Sequence, residues 1–197
     1  MSTASLARPR VRRADIVAAA LELFADKGYL ATTMDDIGRA VNVRGPSLYK
    51  HVASKQDLLV EIMETSIATV LRDHAVAVGS TDDVADQLRR AVEAHVRFHA
   101  RHRLEAFVGT RELRHLSEEN RAAMAARRRD YERGFRVLVE RGVAEGRFRV
   151  GSVRLTTYSL LDMGVGVSVW FRDGEEFSVD EVAYRYGDLA MRLVCAA

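Results

Sequence analysis

The sequence of 197 residues contains only two prolines, Pro9 and Pro46, and none from Ser47 to Ala197. Proline inside a helix costs about 3 kcal/mol, so a long proline-free stretch rich in Ala, Leu, Arg and Glu predicts an all-helical protein. Cysteine is represented by Cys195 alone, which excludes an intrachain disulfide and a Cys-based zinc site. No uninterrupted apolar run reaches the ~18 residues that a membrane-spanning helix needs. The opening MSTASLARPRVRRADIV has no apolar core of signal-peptide length, so a cytoplasmic location is expected. Charge of one sign is also scarce. The formal net charge is +2, which excludes a polycationic nucleic-acid coat and confines any basic surface to a local patch. Lysine occurs at three positions, Lys27, Lys50 and Lys55, and the arginine excess reads as a compositional bias before it reads as chemistry. With 48% hydrophobic and 29% charged residues, the chain has the make-up of an ordinary globule rather than of a disordered or collagen-like one.

What is present is helical periodicity. Ile16, Ala19, Ala20, Leu23 and Phe24 form one apolar stripe over Arg13–Lys27, and Gly28 follows it as a stop. Thr33 and Asp36 have the spacing of a capping box at the head of a second helix. Asn42 supplies a turn that tolerates positive φ. Pro46 suits the first turn of a third, short helix, anchored inward by Leu48 and Val52. Ser54 opens a fourth. Longer helices are expected over 82–102, 104–116, 118–143, 152–171 and 179–195, giving about nine in all. No internal repeat and no strand-period run of more than a few residues occurs.

Three short helices in the first 55 residues, the last two joined by a tight turn, make a helix-turn-helix over about 33–52. Such a unit presents the first turns of one helix to base edges in the DNA major groove. Arg44, Ser47, Lys50 and His51 are expected to point outward, with Tyr49 between the two faces and within reach of a phosphate. Residues 1–60 carry nine basic and six acidic side chains, so the basic excess sits on this segment.

The run from Thr33 to Leu58, TMDDIGRAVNVRGPSLYKHVASKQDL, and the preceding ALELFADKGY from Ala20 to Tyr29 resemble the DNA-binding domain of TetR-type transcriptional regulators. The resemblance implies a DNA-binding domain at 10–70 and an effector-binding and dimerisation domain at 71–197. It implies that Thr33, Tyr49 and Lys55 contact the phosphate backbone and that Arg44, Ser47, Lys50 and His51 face the groove. Asn42 departs from the family's usual turn glycine, and Arg44 from its usual Ser/Thr cap. The bland readings stay open: Thr33 as a helix cap, Tyr49 as core, Lys55 as a solvated helix start. The arginines of the first stretch, Arg8 and Arg10, are either a solvated tail or a minor-groove arm.

The same resemblance implies a homodimer that pairs through the helices at 152–171 and 179–195, binds a double-stranded palindromic DNA operator, and encloses a small hydrophobic effector among its middle helices. Gly164 and Gly166 would permit close approach of backbones. Phe98, Phe107, Tyr131, Phe135, Tyr158 and Trp170 are large apolar groups expected around the ligand site, although core packing also explains such positions. The segments around Arg111–Arg114, Arg127–Tyr131, Gly142–Gly146 and Trp170–Gly174 are similar to regulators of fatty-acid and steroid breakdown that bind acyl-CoA thioesters. Phosphates of such a ligand would need arginines at the mouth of the cavity, with Arg127, Arg128, Arg129 and Arg133 as candidates, and Arg111 and Arg127 are counted among the ligand-site candidates. A repressor released by its effector is the expectation. The alternatives are an activator, or a regulator of a different small hydrophobic ligand of drug or efflux type.

Other chemistries find little support. His95, His99 and His102 fall at i, i+4 and i+7, a spacing that can serve a metal, but no Cys or evident second group accompanies them, and no metal is expected. No Ser-His-Asp order, phosphate loop or pair of catalytic carboxylates emerges, so an enzyme is not expected. No cofactor is expected beyond the small-molecule effector.

Overall fold

A computed structural model describes residues 11–43 and 45–195. The segment carrying Arg8 and Arg10, and Arg44 itself, lie outside the described residues. All regular elements among the described residues are helical. They are α1 (Arg13–Lys27), α2 (Met34–Ala40), α3 (Gly45–Leu48), α4 (Lys55–Val78), α5 (Val84–Arg101), α6 (Arg103–Arg111), a 3-10 turn (Leu113–His115), α7 (Glu118–Ala144), α8 (Val153–Trp170) and α9 (Val179–Cys195). The expected all-helical class is therefore observed.

The chain forms two compact units that part between Ile62 and Met63, inside α4. The sequence places the boundary at 70/71. It falls earlier because Met63, Ile67 and Val70 are buried and line a cavity of the second unit.

In the first unit Ile16, Ala20 and Phe24 of α1 are fully buried with Ile37, Leu48, Leu58 and Leu59. Each of the Ile, Leu and Phe side chains contributes about 1.5–3 kcal/mol on burial. Local chemistry sets the element ends. Arg12 N–H donates to the Asp15 carboxylate at 2.9 Å, and Gly28 takes a positive φ of 85°. The Thr33 hydroxyl accepts from Asp36 N–H at 3.1 Å, while the Asp36 carboxylate accepts from Thr33 N–H at 3.0 Å. That reciprocal pair is the expected capping box. Asn42 adopts a φ of 56°, so the turn uses the left-handed conformation that Asn tolerates. Gly38 has a role that the sequence reading missed. A Cβ there would lie 2.7 Å from the Val43 carbonyl oxygen, and Val43 N–H donates to the Gly38 carbonyl at 2.8 Å. Glycine lets the turn close directly on α2.

In the second unit α5 is central and packs against α7, α8 and α9. Leu88, Ala91, Val92 and Val96 are buried on it, opposite Phe135 of α7, Leu160 of α8, and Ala183 and Ala190 of α9, which are buried too. Arg97 Nε donates to Asp180 at 2.7 Å, and Arg89 pairs with Asp188, tying α5 to α9 at two levels. Ser117, Ser152 and Ser178 cap α7, α8 and α9 through their hydroxyls.

Helix α8 buries Thr157, Leu160, Gly164 and Val167. Its other side carries Leu155 and Val169, which are 66% and 73% exposed in the single chain. Gly164 does not lie on that open side. A Cβ on it would sit 2.1 Å from the His95 ring, so this glycine makes room for a histidine within the chain. A Cβ on Gly166 would meet only open space.

Candidate nucleic-acid interface and ligand cavity

The segment that follows the α2 turn is shorter as a helix than the sequence suggested. It is helical only over Gly45–Leu48 and continues as hydrogen-bonded turns. His51 N–H donates to the Leu48 carbonyl at 2.9 Å, as does Val52 N–H at 3.1 Å. Leu48 and Val52 are buried, whereas Ser47 and Lys50 are exposed and Tyr49 is 55% exposed. Buried anchors at 48 and 52 therefore turn Ser47, Tyr49 and Lys50 outward. His51 is half-buried, and its main-chain carbonyl accepts from Arg13.

Arg13 was not singled out from the sequence. Its guanidinium also donates to Glu61 at 2.6 Å and 3.0 Å, so α1, α4 and the end of the outward segment share one ion pair. The only sequence signal was an arginine at the start of an amphipathic helix, which reads as solvated surface.

Lys55 departs from the expected phosphate contact. Its ammonium donates to the carbonyls of Tyr29 and Thr32, both at 2.6 Å, and lies 4.3 Å from the centre of the Tyr29 ring. Partial burial pulls its pKa below the ordinary lysine value. This cation closes the α1–α2 loop against the start of α4. Thr33 is exposed but its hydroxyl is engaged with Asp36, donating to the carboxylate at 2.7 Å.

The second unit holds a cavity of about 270 Å³. Its walls are Met63, Ser66, Ile67 and Val70 of α4, His95, Phe98 and His99 of α5, Glu105, Ala106, Gly109 and Thr110 of α6, Met124, Arg128 and Tyr131 of α7, and Leu161 and Val165 of α8. Of the ligand candidates from the sequence, Phe98 and Tyr131 line it, and of the mouth arginines only Arg128 does. Phe107, Arg111, Arg127, Tyr158 and Trp170 stand elsewhere. Arg111 lies 4.5 Å over the exposed Phe107 ring. Tyr158 is exposed beside Arg154, and Trp170 is exposed at the end of α8. Arg133 faces Asp130 at 3.6 Å. Phe107, Arg111, Arg127, Tyr158 and Trp170 do not line this cavity, because periodicity shows that a helix has a buried side without showing which neighbour covers it.

The polar floor of the cavity is built from histidines. His95 is buried, with Nε2 2.9 Å from the Leu161 carbonyl and Nδ1 2.9 Å from the Tyr131 hydroxyl. A carbonyl only accepts, so Nε2 carries the proton and Nδ1 accepts the Tyr131 O–H. Burial lowers the His95 pKa to about 4 and drives that of His99 well below the usual imidazole range. Burial likewise raises that of the Tyr131 phenol. All three groups are therefore neutral at pH 7. His102 is separate from the other two histidines. It caps α5, stacks on Phe98 at 4.8 Å and faces Glu105 at 3.2 Å. Among the described residues no group of three His, Cys, Asp or Glu is placed to hold a metal, and no helix is long and apolar enough to cross a membrane.

Residues 16–62 match the family of bacterial regulatory proteins of the tetR type, and residues 81–194 match the tetracyclin repressor-like C-terminal domain. The chain belongs to the TetR family. Its first unit is thus the family's DNA-binding domain, and the chain is a transcriptional regulator. The HTH-type transcriptional repressor KstR2 of Rhodococcus jostii RHA1 is 29% identical over 178 residues, covering 89% of this chain and 87% of that protein. A TetR-family regulatory protein of Rhodococcus RHA1 superposes with a TM-score of 0.86 at 34% identity, covering 94% of this chain and 97% of that one. AibR, solved with isovaleryl coenzyme A and operator DNA, shares the fold with a TM-score of 0.80 at 22% identity, covering 93% of this chain and 98% of its own.

Proposed function

We propose that this TetR-family chain is a cytoplasmic, homodimeric repressor that holds a palindromic operator and is released from it by a small hydrophobic effector, an acyl-CoA thioester. The observation that carries the reading is the pairing, in one chain, of an outward Ser47–Lys50 segment on a helix-turn-helix with an apolar-walled cavity of about 270 Å³ among α4 to α8. Ser47, Lys50, His51 and Arg44 would face the groove, and Thr33 and Tyr49 the phosphates. Two protomers would place their recognition segments about one helical turn, ~34 Å, apart along the duplex.

The exposed side of α8, with Leu155 and Val169, and the exposed Leu189 and Leu193 of α9 are the apolar surface that a second copy would cover. Such a pair buries side chains that water would otherwise surround.

Helix α4 supplies Lys55 to the first unit and Met63, Ile67 and Val70 to the cavity wall. A ligand that binds one position of that helix better than another shifts operator affinity by its differential binding energy. The likeness to AibR, solved with isovaleryl coenzyme A, supports a thioester. Arg128 supports it too, because it reaches the cavity and donates to the Gly109 carbonyl at 2.7 Å without a carboxylate partner among the described residues.

The test is a fluorescence-anisotropy titration of the full chain with a palindromic fragment from its own upstream region, repeated with isovaleryl-, palmitoyl- and steroid acyl-CoAs. At least one thioester should weaken the DNA isotherm. If none does, another hydrophobic ligand takes the cavity, while the DNA reading stands on its own titration.

A further inference from the structure

Most polar groups that line the cavity are already engaged. Both nitrogens of His95 have partners, and the Tyr131 O–H is donated to one of them. The Thr110 hydroxyl donates to the Ala106 carbonyl at 2.9 Å, and Glu105 faces His102. His99 differs. It lines the cavity and is 8% exposed, yet its ring makes no hydrogen bond among the described residues, and its Nδ1 is both buried and unpartnered. Its ring packs edge-on against His95 at 4.4 Å and Phe98 at 5.3 Å, which fixes its place without satisfying its nitrogens. Nδ1 is sealed by packing, which leaves Nε2 as the ring nitrogen that a ligand in the cavity can reach.

We propose that His99 is the polar anchor of the effector cavity, donating a hydrogen bond from its imidazole to an uncharged carbonyl oxygen of a compact ligand group. The inference rests on the reading of the cavity as the effector site. Its size follows from volume. An apolar cavity of about 150 Å³ holds one benzene, so 270 Å³ admits roughly ten heavy atoms at the enclosed end of a ligand, the size of a short branched or monocyclic group. Its charge follows from the surroundings. His99 is kept neutral by burial, with the positive charges of Arg128 and of any protonated His95 or His102 acting in the same direction. A neutral imidazole donates one N–H, which suits a carbonyl; Met63, Ile67, Val70, Phe98, Leu161 and Val165 suit the hydrocarbon around it.

The experiment compares isovaleryl-CoA with S-(3-methylbutyl)-CoA, a thioether of the same shape with a methylene in place of the carbonyl. Calorimetric titration of the full-length protein reads both affinities, and the ring 15N shifts of His99 report contact. The wild type should prefer the thioester by roughly tenfold. His99→Phe should erase the preference, and His99→Asn, which keeps an N–H donor, should retain part of it; a thermal melt checks that each variant is folded. Equal binding of the two compounds by the wild type, or a preference that survives His99→Phe, overturns the proposal. If neither CoA compound binds, the thioester reading fails and cyclohexanone against methylenecyclohexane decides the role of His99 by the same criteria. Failure of all four probes to bind also overturns it.

Discussion

Lys55 Nζ lies 2.6 Å from the main-chain carbonyl of Thr32, the residue before the cap of α2. The same ammonium reaches Tyr29 O, so one cation closes the loop between α1 and α2. Replacing it by Met leaves two carbonyls without their donor. Urea denaturation should show a loss of about 1–3 kcal/mol, with the slope of log affinity against log salt on operator DNA unchanged. A variant that keeps its stability and binds DNA with a shallower slope would restore Lys55 to the phosphate backbone.

Tyr49 faces outward, 55% exposed. Tyr49→Phe removes one hydroxyl and little packing. Its affinity for operator and for unrelated duplexes should fall by the same factor, because a phosphate contact carries no sequence information. Binding assays on both duplexes check this, and a loss confined to the operator would assign Tyr49 to base recognition instead.

His95, His99 and His74 share a direction: burial lowers each pKa, that of His95 to about 4. The folded state thus favours neutral imidazole while the unfolded chain titrates near 6.5. Their contribution is fully present above about pH 6.5 and is lost as pH falls through that value toward 4. Stability of the second unit should drop by roughly 2 kcal/mol for each of His95 and His99 between pH 7 and pH 5, with His74 acting in the same direction, followed by near-ultraviolet dichroism. Asp36 of the first unit has its pKa lowered by the Thr33 hydroxyl, and its contribution is lost only below about pH 4. Flat stability from pH 7 to 5 would contradict this account.

Gly164→Ala places a methyl 2.1 Å from the His95 ring. Over-packing of that kind costs about 1–3 kcal/mol and pushes the ring off Leu161 and Tyr131. Chemical denaturation should register the loss, and the His95 ring 15N shifts should move. An unchanged spectrum would show that the ring is not held as described.

Much of this was legible in the sequence. The Arg13–Lys27 stripe, the Thr33–Asp36 box, the positive φ of Asn42 and the serine caps follow from local chemistry, which neighbouring residues carry by themselves. The cavity was less legible. Phe98 and Tyr131 were found, but Phe107 and Trp170 had the same size and spacing and lie elsewhere, because helix periodicity does not say which helix covers which face. The spacing of His95, His99 and His102 does not disclose what they touch; the Tyr131 hydroxyl and the Leu161 carbonyl that engage His95 are 36 and 66 residues away. The partners of Lys55 were hidden for the same reason, since the carbonyls that it reaches lie 26 and 23 residues upstream.

Two copies of this chain are expected to present the Ser47–Lys50 segment to one duplex. This is tested most directly by titrating the purified protein against a palindromic fragment from its own upstream region and against a scrambled duplex of equal length, with anisotropy for affinity and sedimentation for stoichiometry. The account expects an even number of protomers per duplex and at least ~10³-fold tighter binding to the palindrome at physiological salt. Equal affinity for both duplexes, or a single protomer bound, would contradict it.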